Sequence, residues 1–212
     1  MNTSTTNTKA SYHHGDLRQV LMDEAAKMIR DEGENAFSMR KLATRVGVSR
    51  TAPYHHFADK QTLLCAIAEE GFRRFQLFKD PVATDPETGL IAFEALQGFV
   101  SGYVRFALEN AEYYDLMFGG HLWKNQLLTE SLTREAHASF RRYVDGIRHW
   151  QEQGLILKSI DPLRYAQVSW STLHGMSRLL IDGIYVDEAA VEPICHNAAM
   201  MFWTELTGQK SE

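Results

Sequence analysis

Between positions 40 and 56 the chain carries Arg40, Thr44, Ser49, Arg50, Thr51, Tyr54, His55 and His56, hydrogen-bonding side chains that include two permanent cations. Guanidinium groups pair with phosphate oxygens or with the acceptor edge of guanine, and hydroxyl and imidazole groups reach phosphates or base edges. That chemistry suits a surface that grips a duplex backbone and reads bases from the major groove. Patterns for catalysis are missing. His13-His14 and His55-His56 are adjacent pairs whose members point apart on a helix, and His121 and His137 have no Cys, Asp or Glu at zinc-like spacing. No HExxH, GxSxG, phosphate-loop or dinucleotide-fingerprint pattern occurs. No catalytic residue, metal site or cofactor is expected.

Such side chains need two short helices crossed at a tight turn, and residues 38–57, SMRKLATRVGVSRTAPYHHF, supply the parts of a helix-turn-helix. Met39, Leu42, Ala43 and Val46 recur at helical spacing and give the first helix an apolar underside, with Arg40, Lys41, Thr44 and Arg45 left outside. Ser38 is placed to cap that helix. Gly47 takes the turn, since glycine adopts a positive φ without steric cost. Val48 packs into the angle, and Ser49 is expected to cap a second short helix carrying Arg50, Thr51, Tyr54, His55 and His56. Pro53 lies inside that second helix and disfavours helical geometry at Ala52, which limits it to about two turns with some irregularity.

The stretch VSRTAPYHHFADKQTLL resembles the recognition helix and following helix of the TetR (tetracycline-repressor) family of one-component bacterial regulators, and the likeness extends over 12–72. Val48, Ser49, Tyr54, His56 and Phe57 match the family's motif, and Lys60 matches the lysine that commonly opens its fourth helix; Pro53 stands where leucine is common. The resemblance implies an all-α fold with three parts: a flexible leader at 1–11, a helix-turn-helix domain at 12–59, and a larger helical effector-binding and dimerisation domain at 60–212 opened by a linking helix at 60–78. It implies that Arg40, Thr44 and Lys60 hold phosphates, with Tyr54 and His56 at the backbone. Arg50, Thr51 and His55 then face base edges.

Composition agrees with that division. Net charge is −5, yet residues 36–60 contain Arg40, Lys41, Arg45, Arg50 and Lys60 against Asp59 alone, while 61–212 hold 13 basic and 20 acidic side chains. A basic module on an acidic body suits a DNA reader whose bulk stays off the backbone. At 44% hydrophobic residues the chain can build a core without disulfides, and Cys65 and Cys195 are expected to be structural thiols. No run approaches the length of a membrane span and the polar start has no apolar signal region, so a cytoplasmic protein is expected.

Beyond the linking helix, apolar spacing predicts helices over 90–111, 129–153, 162–182 and 187–206, with 112–122 irregular or short-helical around Gly119-Gly120. Asp161 is placed to cap the helix that Pro162 opens. Trp170, His174 and Gly175 resemble the Trp-His-Gly pattern of the C-terminal domain in one TetR branch. Trp170 and His174 share one helix face, and Ser171 with Gly175 would admit another helix closely. The region 93–123 is rich in aromatic and polar groups, including Tyr103, Tyr113, Tyr114, His121 and Trp123. Phe99, Tyr103, Tyr113, Met117, His121, Trp123, Trp150, Trp170 and His174 are the residues expected to line an apolar effector pocket, with His174 its favoured polar group. Each of these aromatics serves core packing equally well.

From the resemblance, the last two helices pair with those of a second subunit, so that a homodimer presents two recognition helices about 34–36 Å apart to a near-palindromic operator. The leading expectation is a ligand-responsive repressor released by a small apolar or aromatic effector. An adaptor whose helix-turn-helix no longer reads DNA is the alternative. An enzyme hidden in the C-terminal helices would need an organised nucleophile or acid that the sequence does not supply.

Overall fold

The computed structural model describes residues 17–75, 84–185 and 190–209, with backbone alone at 120 and 121. The expected leader and the expected helix residues 76–78 and 187–189 lie outside the described residues. Within them the structure is all-α; the sole extended pairing is an isolated bridge between Thr84 and Ile91. Contacts divide the chain into two units, 1–67 and 68–212.

In the first unit, α1 (Leu17–Glu32) and α2 (Met39–Val46) are followed by a single 3-10 turn, Ala52–His55, and by the start of α3 (Lys60–Phe75). The buried stripe of α1 is Leu21, Met22, Ala25, Ala26 and Met28. Leu17, Val20 and Ile29 fall on the margins of this stripe at half burial. Phe37, Leu42, Ala43, Phe57 and Leu63 complete a small core. Ser38 caps α2 by accepting from the Lys41 amide, and Gly47 ends it at φ 77° with its N–H on the carbonyls of Ala43 and Thr44.

In the second unit come α4 (Phe93–Glu109), α5 (Ala111–Phe118), α6 (Gly120–Lys124), α7 (Glu130–Glu152), α8 (Pro162–Ile181) and α9 (Val191–Thr207). The helix expected from residue 90 begins three residues later, because Leu90 and Ile91 spend their backbone groups elsewhere: Asp85 N–H donates to the Leu90 carbonyl and Ile91 N–H to the Leu155 carbonyl. The segment 112–122 is two short helices broken at Gly119, where a Cβ would collide with the Asp115 carbonyl oxygen. Thr129 and Asp161 cap α7 and α8 through their side-chain oxygens.

The core lies where α4 packs against α8 and α9, with α7 on α8. Three stretches far apart in sequence are laced together at one place. Ile91 N–H donates to Leu155 O at 2.8 Å, Leu157 N–H to Leu206 O at 2.9 Å, and the Trp203 indole to Ile91 O at 3.0 Å. Cys65 and Cys195 are buried and neither is in a disulfide. No described helix is long and apolar enough to cross a membrane.

Candidate functional site

The helix-turn-helix exposes a selected subset of its cations. Lys41 donates to the Ala36 carbonyl at 2.9 Å and pairs with Glu32, while Arg45 pairs with Glu24 and Glu32. Lys60 donates to the Glu34 carbonyl at 2.6 Å and sits over the Phe37 ring, so its ammonium is directed into its own unit. Arg40 and Arg50 are exposed, and their guanidinium groups make no ion pair or hydrogen bond among the described residues. Thr44, Ser49, Thr51, Tyr54 and His55 are exposed beside them, with Tyr54 at 53%, and His56 is half-buried.

The second element of the motif departs from expectation. It is a 3-10 turn whose cap is Thr51 without a side-chain hydrogen bond; Ser49 does not cap it, and its hydroxyl instead meets that of Thr51 at 3.2 Å. The physical reason is Pro53. It has no N–H to donate into an α-helix, and it is buried, with its carbonyl accepting from the amides of both His56 and Phe57. Asp59, unassigned from sequence, holds the start of α3 by accepting from the Thr62 amide at 2.7 Å and the Thr62 hydroxyl at 2.9 Å, which keeps its carboxyl below the usual carboxylate range.

The second unit gathers a ring cluster from α3, α4, α5, α7 and α8. Trp170 stands at its centre, with edge contacts to Phe75 (5.5 Å), Tyr103 (6.1 Å), Phe140 (5.6 Å) and Tyr143 (5.4 Å). One turn on, His174 stacks on Tyr114 at 5.5 Å and meets Phe118 at 4.7 Å. Polar atoms are threaded through the rings. Tyr103 and Tyr114 hydroxyls lie 3.2 Å apart, and the Tyr114 hydroxyl is 2.8 Å from His174 Nδ1. Burial pushes the Tyr103 phenol well above 10 and Tyr114 to about 12, so both stay neutral. His174 is held below its ordinary value, first by desolvation and then by the charge of Arg178. That guanidinium is itself committed, to Asp115 and Asp182.

Of the residues expected to line a pocket, Tyr103, Trp170 and His174 are brought together, and Phe99 joins through its stack on Tyr143 at 5.6 Å. Tyr113 and Met117 lie elsewhere: Arg74 sits over the Tyr113 ring at 4.1 Å, and Met117 fills the gap at Gly71. Trp123 donates to the Met117 carbonyl at 2.8 Å, and Trp150 makes no ring contact with the cluster. The side chain of His121 lies outside the described residues. Phe75, Tyr114, Phe118, Phe140 and Tyr143 were not assigned from sequence. Tyr114 was separable from Tyr113 only by which side of α5 meets α8. Among the described residues no atom of another helix approaches the position of a Cβ at Gly175, so none of them uses the gap expected there.

Two family profiles match the chain: bacterial regulatory proteins of the tetR family over residues 21–67, and the tetracyclin repressor-like C-terminal domain over 96–202. The chain belongs to the TetR family of transcriptional regulators. TetR regulators of this kind bind DNA through the helix-turn-helix and are not enzymes. Among curated relatives, the chain is 30% identical over 117 residues to the HTH-type transcriptional repressor AcnR of Corynebacterium glutamicum, covering 55% of this chain and 54% of that one. It is 38% identical over 52 residues to the tetracycline repressor protein class C of Escherichia coli, covering 24% of each. The chain thus spans about half the length, or less, of the curated relatives it matches. A solved structure of a protein of unknown function from Rhodococcus sp. RHA1 is 32% identical, covers 94% of this chain and 100% of its own, and superposes with a TM-score of 0.75. The TetR regulator PfmR of Thermus thermophilus shares the fold at a TM-score of 0.62 and 23% identity, over 86% of this chain and 96% of that one.

Proposed function

We propose that this TetR regulator is a cytoplasmic, homodimeric repressor that binds a near-palindromic operator and is released by a small apolar or aromatic effector. The observation that carries the DNA half is the unpaired, exposed state of Arg40 and Arg50 beside neighbours whose charges are spent on Glu24, Glu32 and Glu34. Arg50, Thr51 and His55 read base edges, while Arg40 and Thr44 hold phosphates with Tyr54 and His56 at the backbone. Ser49 and Lys60 belong to the same surface, with Lys60 contributing less because of its tie to Glu34.

Dimerisation through α8 and α9 is supported by their outer face. Val168 and Met201 are each 67% exposed, and a groove of about 330 Å³ lined by Met176, Pro193, Ile194, Ala198 and Met201 runs between the two helices. Exposed apolar surface of that kind is what an isologous two-fold contact covers. The ring cluster around Trp170 is the effector-sensing core. An effector that engages it changes operator affinity only by as much as it binds the two states differently, about 1–3 kcal/mol in typical couplings.

The test is a titration of the full chain against DNA from its own upstream region at two salt concentrations, beside scrambled competitor. Binding about a thousandfold or more tighter than to competitor, with a steep salt dependence, is expected. Equal, weak binding to both DNAs, repeated in a selection from random sequence, would establish an adaptor that no longer reads DNA.

A further inference from the structure

Arg18, the second residue of α1, lies on the side of its helix where a solvated cation is not expected. At about 100° per residue it falls in line with Met22 and Ala25 of the buried stripe, whereas Lys27 lies about 180° away on the outer face. Arg18 is nevertheless exposed, because the apolar stripe gives out there and Phe57 takes its place. The guanidinium carbon stands over the Phe57 ring, 5.1 Å from its centroid, and Phe57 itself is 2% exposed. Among the described residues the one polar atom it meets is the Met22 sulfur at 3.6 Å, a weak acceptor. A cation resting on a ring face keeps its charge, and most of its N–H donors stay available.

Phe57 ties this cation to the reading element. Its amide donates to the carbonyl of the buried Pro53 at 3.0 Å, closing the 3-10 turn, and its ring meets that of His56 at 6.4 Å. The guanidinium is thus fixed beside the turn that carries Tyr54, His55 and His56, by a ring that the turn itself places. Lys27 also has no carboxylate partner among the described residues, but it faces away from the core, and Arg30, Lys41, Arg45 and Lys60 are spent on carboxylates. We infer that Arg18 is a further DNA contact, a phosphate clamp supplied by α1 and held in place by Phe57. This rests on the reading of the first unit as a DNA binder. Phosphate suits the site, because a guanidinium stacked on a ring still offers its donor edge to two oxygens at once.

The test titrates the full chain with random duplex DNA and with DNA from its own upstream region over a salt series. Arg18→Met keeps an apolar stem over Phe57 and removes the charge, so it should weaken both DNAs in the same proportion. It should lower the salt slope by about one, so that a tenfold rise in salt costs it about tenfold less affinity than it costs the wild type. Lys27→Met should leave affinity and slope as they are, and the urea midpoints of both variants should stay close to the wild type. An unchanged slope in Arg18→Met, or an equal fall in Lys27→Met, overturns the contact. A lowered urea midpoint and lost affinity with an unchanged slope would make Arg18 a cover for Phe57 and nothing more. A second measurement needs no variant. With 15N-labelled arginine, the Arg18 Nε–H signal of the wild type should shift as random duplex is added, and a signal that stays fixed overturns the contact as well. The two readings fail separately. A wild type whose DNA binding is weak and independent of salt removes the DNA reading and Arg18 together; a steep wild-type slope that Arg18→Met leaves intact removes Arg18 alone.

Discussion

In the first unit the groups that matter chemically stand in water: Arg40, Arg50, Thr51, Tyr54 and His55 are exposed on short elements over a small core. In the second they are neutral, mostly buried and bonded to each other, as in the Tyr103–Tyr114–His174 chain inside the rings around Trp170. The contrast fits what the proposed function asks each unit to recognise. A phosphate backbone is charged and solvated, so free guanidinium groups lose little on approach and gain counterion release. A small apolar molecule offers little charge. A site for it gains specificity from a few fixed dipoles in an apolar wall, and an unpaired charge there would cost far more than it returned.

The comparison breaks most severely if its buried half can be emptied without loss. Tyr103→Ala should destabilise the second unit by about 3–5 kcal/mol, read as a lower urea midpoint; a change below about 1 kcal/mol would show that the ring cluster is loosely packed. Next in size, Arg50→Ala should cost about 1–3 kcal/mol at the operator and much less on random DNA, so that discrimination falls. Proportional loss on both DNAs would remove Arg50 from base reading. Arg40→Ala should weaken all DNA alike and lower the salt slope by about one, whereas Lys60→Ala should change the slope less, because its ammonium is bound to Glu34. Equal slopes for the two variants would erase the distinction between free and committed cations.

Capping gives a smaller pair of effects. Ser38→Ala should cost about 1 kcal/mol through the lost bond from Lys41, while Ser49→Ala should stay within about 0.5 kcal/mol because it caps nothing. The finest effect is with pH. Burial, and then Arg178, hold His174 below 6.5, so its contribution is fully present above pH 6.5 and is lost as pH falls through the folded value. Melting temperature measured from pH 7.5 down to 5 should therefore fall less steeply in His174→Gln than in the wild type. Parallel curves would show that the imidazole titrates as it does in the unfolded chain.

Much of this was legible in the residues. Gly47 and the caps at Ser38, Thr129 and Asp161 carry their signals locally, in side chains that need only their own neighbours to act. The ring cluster was half legible. Trp170 and His174 announce a shared face by their spacing of four, but which of Tyr113 and Tyr114 meets that face depends on how α5 is turned after Asn110, a tertiary matter. The second reading helix was expected to be an irregular α-helix capped by Ser49. Pro53 signals a disturbance by its residue type, yet its burial, which accompanies the single 3-10 turn with Thr51 as its cap, has no local signature. The tie between Lys60 and Glu34 joins residues 26 apart, a separation that spacing along the chain does not reveal.

The lacing at Ile91, Leu155, Leu157, Trp203 and Leu206 sets an order of events during synthesis. Its last threads come from α9, so the Ile91 carbonyl waits for the Trp203 indole and the Leu157 amide for the Leu206 carbonyl until that helix has left the ribosome. The helix-turn-helix, complete by residue 67, can fold more than a hundred residues earlier. A nascent chain therefore passes through a stage in which the first unit has its whole sequence while the second is still open, and only the emergence of α9 closes that unit's ring of long-range bonds.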